Sequence, residues 1–127
     1  MIDVATLQGW IEKLGYDTAL DGASTLKLTA RDGAPLPSFF VQCTENWVLL
    51  SVLGLLEADA FRADDLGRRL LAANRELRVV KFALDESGEI LLCAELPTES
   101  LDYSELADAV SRIAAVARRF QSDFLGG

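Results

Sequence analysis

The residues of this sequence that could do chemistry are its carboxylates, two thiols and a run of arginines; it contains no His. That absence removes the commonest general base, metal ligand and pH switch together. Ser-His and Cys-His nucleophile pairs go with it. Adjacent acids occur at Asp64 with Asp65 and at Asp85 with Glu86. Paired carboxylates can act as acid and base or hold a hard cation. The first pair falls at a predicted helix start and the second in a predicted hairpin turn, so capping and turn formation are their expected roles. The glycines at 9, 15, 22, 33, 54, 67 and 88 are dispersed, with no dinucleotide or phosphate-loop pattern. Cys43 and Cys93 lie in apolar, strand-like runs and are expected to be small buried hydrophobes in a reducing compartment. The reading is a chain with no catalytic residue, no cofactor and no metal site.

The arginines carry the strongest local charge bias: Arg62, Arg68, Arg69, Arg75 and Arg78, followed by Lys81. At helical spacing they wrap around the element rather than forming one stripe. They read as a solvated face balancing the acidic first turn, or as a docking patch for an acidic segment. The whole chain is acidic, with 20 acidic and 12 basic residues and a net charge of −8. That balance argues against nucleic acid, where phosphate neutralisation supplies most of the affinity. It argues equally against an anionic membrane surface. The terminal Gly126-Gly127 follows a long helix with no strand to present it, and reads as a frayed end.

The elements that position these groups follow from periodicity. Asp3 can cap a first helix in which Val4, Leu7, Trp10, Ile11 and Leu14 recur at helical spacing, with Gly15 as its stop. Asp21-Gly22 marks a turn. Three strands are then predicted, at 25–30, 39–44 and 47–53, the last two joined by a tight hairpin over Glu45-Asn46. The third is apolar on both faces, which places it centrally or at an interface. A connector over 54–63 leads to a second helix running to Glu76, with Leu66, Leu70, Ala73 and Leu77 in one stripe and Gly67, Leu71 and Asn74 in the next. Strands at 79–84 and 89–96 flank the turn Asp85-Glu86-Ser87-Gly88. A last helix reaches about Phe124, with a stripe of Tyr103, Leu106, Val110, Ile113, Ala117, Phe120 and Phe124. The order is helix, three strands, helix, two strands, helix. The expected class is α+β, with a mostly antiparallel sheet packed by helices in one domain over 1–127. The start shows no signal peptide and no run spans a bilayer, so a cytoplasmic protein is expected.

Some apolar side chains exceed what one core needs. Trp10, Phe40, Trp47 and Leu49 are the candidate contacts for a protein or peptide partner, and an open sheet edge could add backbone hydrogen bonds. Glycine inside a helix costs roughly 1 kcal/mol against alanine, which close approach of a second helix can offset. Gly67 and Leu71 are therefore the expected homodimer contacts.

One further pattern joins these elements. Leu70-Leu71-Ala72-Ala73-Asn74, then Lys81-Phe82-Ala83-Leu84-Asp85-Glu86-Ser87-Gly88, then Ala94-Glu95-Leu96-Pro97 resembles the type III secretion chaperone-like superfamily. Within it, the pattern is similar to the YbjN family of candidate sensory-transduction regulators. The shared residues are structural: a helix end, a hairpin and a strand end. The resemblance implies a non-enzymatic, often homodimeric protein that binds extended polypeptide. It leaves two roles open, a secretion chaperone and a regulator acting through protein contacts outside secretion. A small-molecule binder or enzyme would need convergent polar groups that the sequence does not offer.

Overall fold

The computed structural model describes residues 2–32, 36, 38–55 and 66–124, with side chains to 120. Among them lie three helices and six strands: α1 (Val4–Lys13), β1 (Tyr16–Leu20), β2 (Thr25–Ala30), β3 (Phe39–Cys43), β4 (Trp47–Val52), α2 (Leu66–Glu76), β5 (Lys81–Leu84), β6 (Ile90–Pro97) and α3 (Tyr103–Phe124). The strands form one antiparallel sheet in the order β1-β2-β3-β4-β6-β5. The α+β class holds. The order gains a strand, because four strands rather than three separate α1 from α2.

Local chemistry sets most of the boundaries. Asp3 accepts the Thr6 N–H at 2.8 Å and so starts α1. Gly15 ends it at φ +101°, a left-handed turn that swings the chain straight into β1. The β3–β4 hairpin closes where Thr44 N–H donates to the Trp47 carbonyl at 2.8 Å and Thr44 Oγ1 accepts the Trp47 N–H at 3.1 Å. Asp85 organises the β5–β6 turn. Its Oδ1 accepts the Ser87 N–H, the Ser87 hydroxyl and the Glu89 N–H, each within 2.9 Å. Of the Asp85-Glu86 pair, Asp85 thus serves the turn. Asp64-Asp65, Arg62, the connector over 56–63 and Gly126-Gly127 lie outside the described residues.

Side-chain alternation divides the sheet into two unlike faces. One carries Tyr16, Leu26, Leu28, Phe39, Val41, Val48, Leu50, Val52, Phe82, Ile90, Leu92 and Ala94, all buried. Against it pack Leu7 and Ile11 of α1 and the buried stripe Leu106, Val110, Ile113, Ala117 and Phe120 of α3. Two aromatic contacts tie the layer. Tyr16 meets Phe39 edge-on at 5.7 Å, and Phe82 lies tilted against Phe120 at 5.8 Å. α2 lies along β5 at the sheet margin, with Leu66 and Leu70 buried. β4 is central, the first of the two placements its two-sided apolar pattern left open. Cys43 and Cys93, expected to be buried, are only half-buried, and neither is in a disulfide.

Candidate docking surfaces

The other sheet face has no helix over it among the described residues. Register places its side chains in rows. Lys27, Phe40, Ser51, Cys93 and Lys81 follow one another across five strands. Beside them run Gln42, Leu49 and Glu95, and then Trp47 opposite Pro97. On the other flank Leu91 pairs with Ala83. Phe40, Leu49, Leu91 and Cys93 are half-buried, and Trp47 is 44% exposed. Phe40 and Leu49 are diagonal neighbours, within reach of one partner side chain. Three of the four contact candidates, Phe40, Trp47 and Leu49, therefore share this face.

Trp10 does not. It sits on α1 in the helical layer, edge-on to Tyr103 at 6.1 Å, with the Lys13 ammonium 4.7 Å above the Tyr103 ring. It lines a shallow depression with Ile2, Thr6, Thr98 and Leu101. Thr98 follows the strand end where Pro97 pairs with Trp47, and its N–H donates to the Asn46 carbonyl at 2.9 Å. The two tryptophans thus border the same end of the molecule from opposite faces.

A second surface lies at the margin. α2 and the β5–β6 hairpin enclose an apolar groove of about 290 Å³ lined by Gly67, Leu70, Leu71, Asn74, Phe82, Ala83, Leu84 and Ile90. Leu70 forms its inner wall, while Leu71 and Leu84 are 71% and 58% exposed. The α2 flank is basic, with Arg68, Arg69 and Arg75, and the hairpin turn is acidic, with Asp85, Glu86 and Glu89. Gly67 and Leu71, the dimer candidates, both lie in this groove.

Sequence reasoning placed Asn74 in this stripe without a role. Its side-chain amide pairs with the backbone of β5. Nδ2 donates to the Phe82 carbonyl at 3.0 Å and Oδ1 accepts the Phe82 N–H at 2.7 Å. Lys81 Nζ donates to the Asn74 and Leu77 carbonyls at 2.6 and 2.8 Å, closing the end of the helix. An amide on the same helical face as Gly67 and Leu71 was the available signal, because Asn is a poor choice inside a helix unless it has a partner.

The thiols show no activation. Burial, and then the Glu95 carboxylate, pushes the Cys93 thiol up from its ordinary value. Burial, and then Asp3, does the same at Cys43. A protonated thiol is a weak nucleophile and a weak metal ligand. No group of three or more potential metal ligands occurs among the described residues. No described helix is long and apolar enough to cross a membrane.

Known structures share this architecture. YbjN of E. coli, a candidate transcription regulator, superposes with a TM-score of 0.70 at 21% identity, over 95% of this chain and 93% of that one. The ExoU–SpcU complex of the Pseudomonas aeruginosa type III secretion system matches with a TM-score of 0.63 at 25% identity, over 94% and 93%. The HopA1–SchA chaperone–effector complex matches with a TM-score of 0.66 at 18% identity, over 96% and 99%. No curated protein matches. The sequence pattern of the Tir chaperone protein (CesT) family matches residues 6–121, which takes in all nine described elements except the two chain ends. The chain belongs to the CesT family of chaperones.

Proposed function

We propose that this protein is a non-enzymatic, cytoplasmic chaperone-like module that holds an extended segment of another protein against the sheet face that no described helix covers. The observation that carries the reading is the joint placement of Phe40, Leu49 and Trp47 on that face, half-buried or exposed, with no described element covering them. Aromatic and aliphatic groups in such a patch anchor a partner, and hydrogen-bonding groups of an open strand edge can hold its backbone. β1 presents such an edge: the N–H and C=O of Tyr16, Thr18 and Leu20 point away from β2, since Asp21 and Gly15 make the ladder bonds on the alternate positions. Family membership and the chaperone–effector complexes among the similar structures support a polypeptide as occupant.

The same reading makes the protein a homodimer through the α2–β5 groove, with Gly67 and Leu71 at the contact. A two-fold contact uses one patch twice, so a groove with a basic and an acidic lip can complement itself.

The test is capture of partners by the tagged protein in its host, run in parallel with a Phe40→Thr/Leu49→Thr variant. Expected is a bound polypeptide that the variant loses while its melting curve stays close to the parent's. Undiminished capture by the folded variant refutes the site. Identification of the polypeptide as a secreted effector or as a regulatory protein separates the two roles of the fold.

A further inference from the structure

The two edges of the sheet are chemically different. In antiparallel β5 the residues Lys81 and Ala83 exchange hydrogen bonds with β6, as Asp85 does with Glu89, so Phe82 and Leu84 turn their backbone groups to the outside. An exposed edge of this kind is a template for another strand. At Phe82 the template is already taken. The Asn74 side chain reproduces one peptide unit, giving a donor to the carbonyl and an acceptor to the N–H of the same residue, as a paired strand would. Two residues on, Leu84 has no hydrogen-bond partner for its backbone among the described residues. The Lys81 ammonium, bridging the Asn74 and Leu77 carbonyls, holds the helix end at the same place.

We propose that Asn74 is a strand surrogate: it latches α2 along β5 and closes that edge, so that strand addition by a partner segment or a second copy is confined to the β1 edge. The groove beside it then receives side chains rather than an added strand. The proposal stands on the Asn74–Phe82 geometry and is independent of whether the open face binds polypeptide.

Amide hydrogen exchange read residue by residue tests it in the free protein. The Phe82 N–H should exchange at least tenfold more slowly than the Leu84 N–H on the same edge, and the Asn74 side-chain amide protons should be protected as well. Exchange of Phe82 at the Leu84 rate overturns the latch without any variant. In Asn74→Ala, Phe82 should fall to the Leu84 rate while Leu92 stays protected. Light scattering should then show species that grow with concentration beyond the parent's mass, with an intermolecular strand signal in the amide I band. A folded Asn74→Ala that loses Phe82 protection yet keeps the parent's mass overturns the edge-closing role. If Asn74→Ala loses Leu92 protection, Asn74→Asp serves in its place, since it retains an acceptor for Phe82 N–H while its second carboxylate oxygen replaces the donor and repels the Phe82 carbonyl. It should show partial protection and a smaller growth in mass, and an Asn74→Asp variant identical to the parent in both refutes the proposal.

Discussion

Phe39 and Phe40 are consecutive in β3 and face opposite sides of the sheet, so one substitution made at each position separates core from proposed docking surface. Phe39 is 1% exposed and meets the Tyr16 ring edge-on at 5.7 Å. Removing a buried Phe costs about 3–5 kcal/mol, and loss of the edge contact places Phe39 in the upper part of that range. In Phe39→Thr the new hydroxyl is buried as well, which adds to the cost. Phe40 is half-buried on the face that no described helix covers. Full burial of a Phe side chain is worth about 1.5–3 kcal/mol, so Phe40→Thr forfeits about 1 kcal/mol, and Thr preserves the strand preference. At roughly 3–5 °C per kcal/mol for a domain of this size, Phe39→Thr should lower Tm by at least about 12 °C, and Phe40→Thr by less than about 5 °C. Thermal melts followed by circular dichroism give both numbers. Equal and large losses would refute the assignment of Phe40 to an uncovered face. A small loss at Phe39 would mean that the strand register is inverted, since a slip of one residue exchanges the two faces.

The remaining expectations concern other parts of the fold. Replacing Leu71 with Asp, or Gly67 with a bulky residue, should shift the mass seen by light scattering from dimer to monomer; a parent that is monomeric at high micromolar concentration refutes the dimer. Val79 holds φ +71° at the centre of a tight turn in which Val80 N–H donates to the Arg78 carbonyl at 2.8 Å. A β-branched residue there is strained by about 1–3 kcal/mol, so Val79→Gly should raise Tm by a few degrees, and a fall would show that the strain is absent. The carboxyls of Asp3, Asp85 and Asp102 are held below 3.8 by hydrogen bonds from Thr6, Ser87 and Glu105 respectively. A depressed folded value means stability that is present above the unfolded value and lost as pH falls through the folded one. The denaturation midpoint should therefore hold from pH 7 to about 5 and fall below about pH 4; a midpoint unchanged down to pH 2 contradicts this. The raised thiol of Cys93 predicts slower alkylation at pH 8 than for free cysteine, with the difference abolished in denaturant; equal rates in the native protein refute it.

What was legible in the sequence was what is decided locally. The α3 stripe from Leu106 to Phe120, the Asp3 cap and the Asp85 turn each depend on residues within a few positions, and the structure has them where the spacing puts them; the Phe124 side chain lies outside the described residues. β1 was not legible. Of its residues only Tyr16 is buried, and Thr18 spends its hydroxyl on Gln8 and Glu12 of α1 at 2.9 and 3.0 Å. Its strand conformation comes from pairing with β2, which no local pattern announces. For the candidate site, period-two alternation was enough to put Phe40 and Leu49 on one face. It was not enough to detach Trp10 from them, because surplus apolar residues look the same whether they fill a helical layer or line an open sheet. Asn74 was legible only as a punctuation mark. Its meaning lies eight residues away, in the backbone of Phe82.

These features answer one physical problem. A sheet that accepts a foreign polypeptide, as proposed here, needs apolar surface and free backbone groups, and both invite association with copies of itself. On the open face the apolar positions are interleaved with Lys27, Gln42 and Glu95 across neighbouring strands, so no partner finds a continuous dry patch without also meeting charge. At the margins the risk is divided. β5, four residues long, lies beside the exposed Leu71 and Leu84 and would be the more adhesive edge if its backbone were free. There the hydrogen-bonding groups of Phe82 are consumed by Asn74. β1, by contrast, is bordered by charge: Asp17 pairs with Arg31 at 2.8 Å and Glu12 stands over Thr18. A segment that adds at β1 must suit those charges as well as the backbone, and this is a condition a second copy of the same acidic chain meets poorly. Selectivity for a partner over self would then rest on where the backbone is left open rather than on any single anchoring side chain. On that argument Asn74→Ala should weaken the discrimination without weakening partner capture. Capture from the host and self-association by light scattering, measured on one preparation, give the two quantities. A variant that loses both together would show instead that Asn74 only holds the fold.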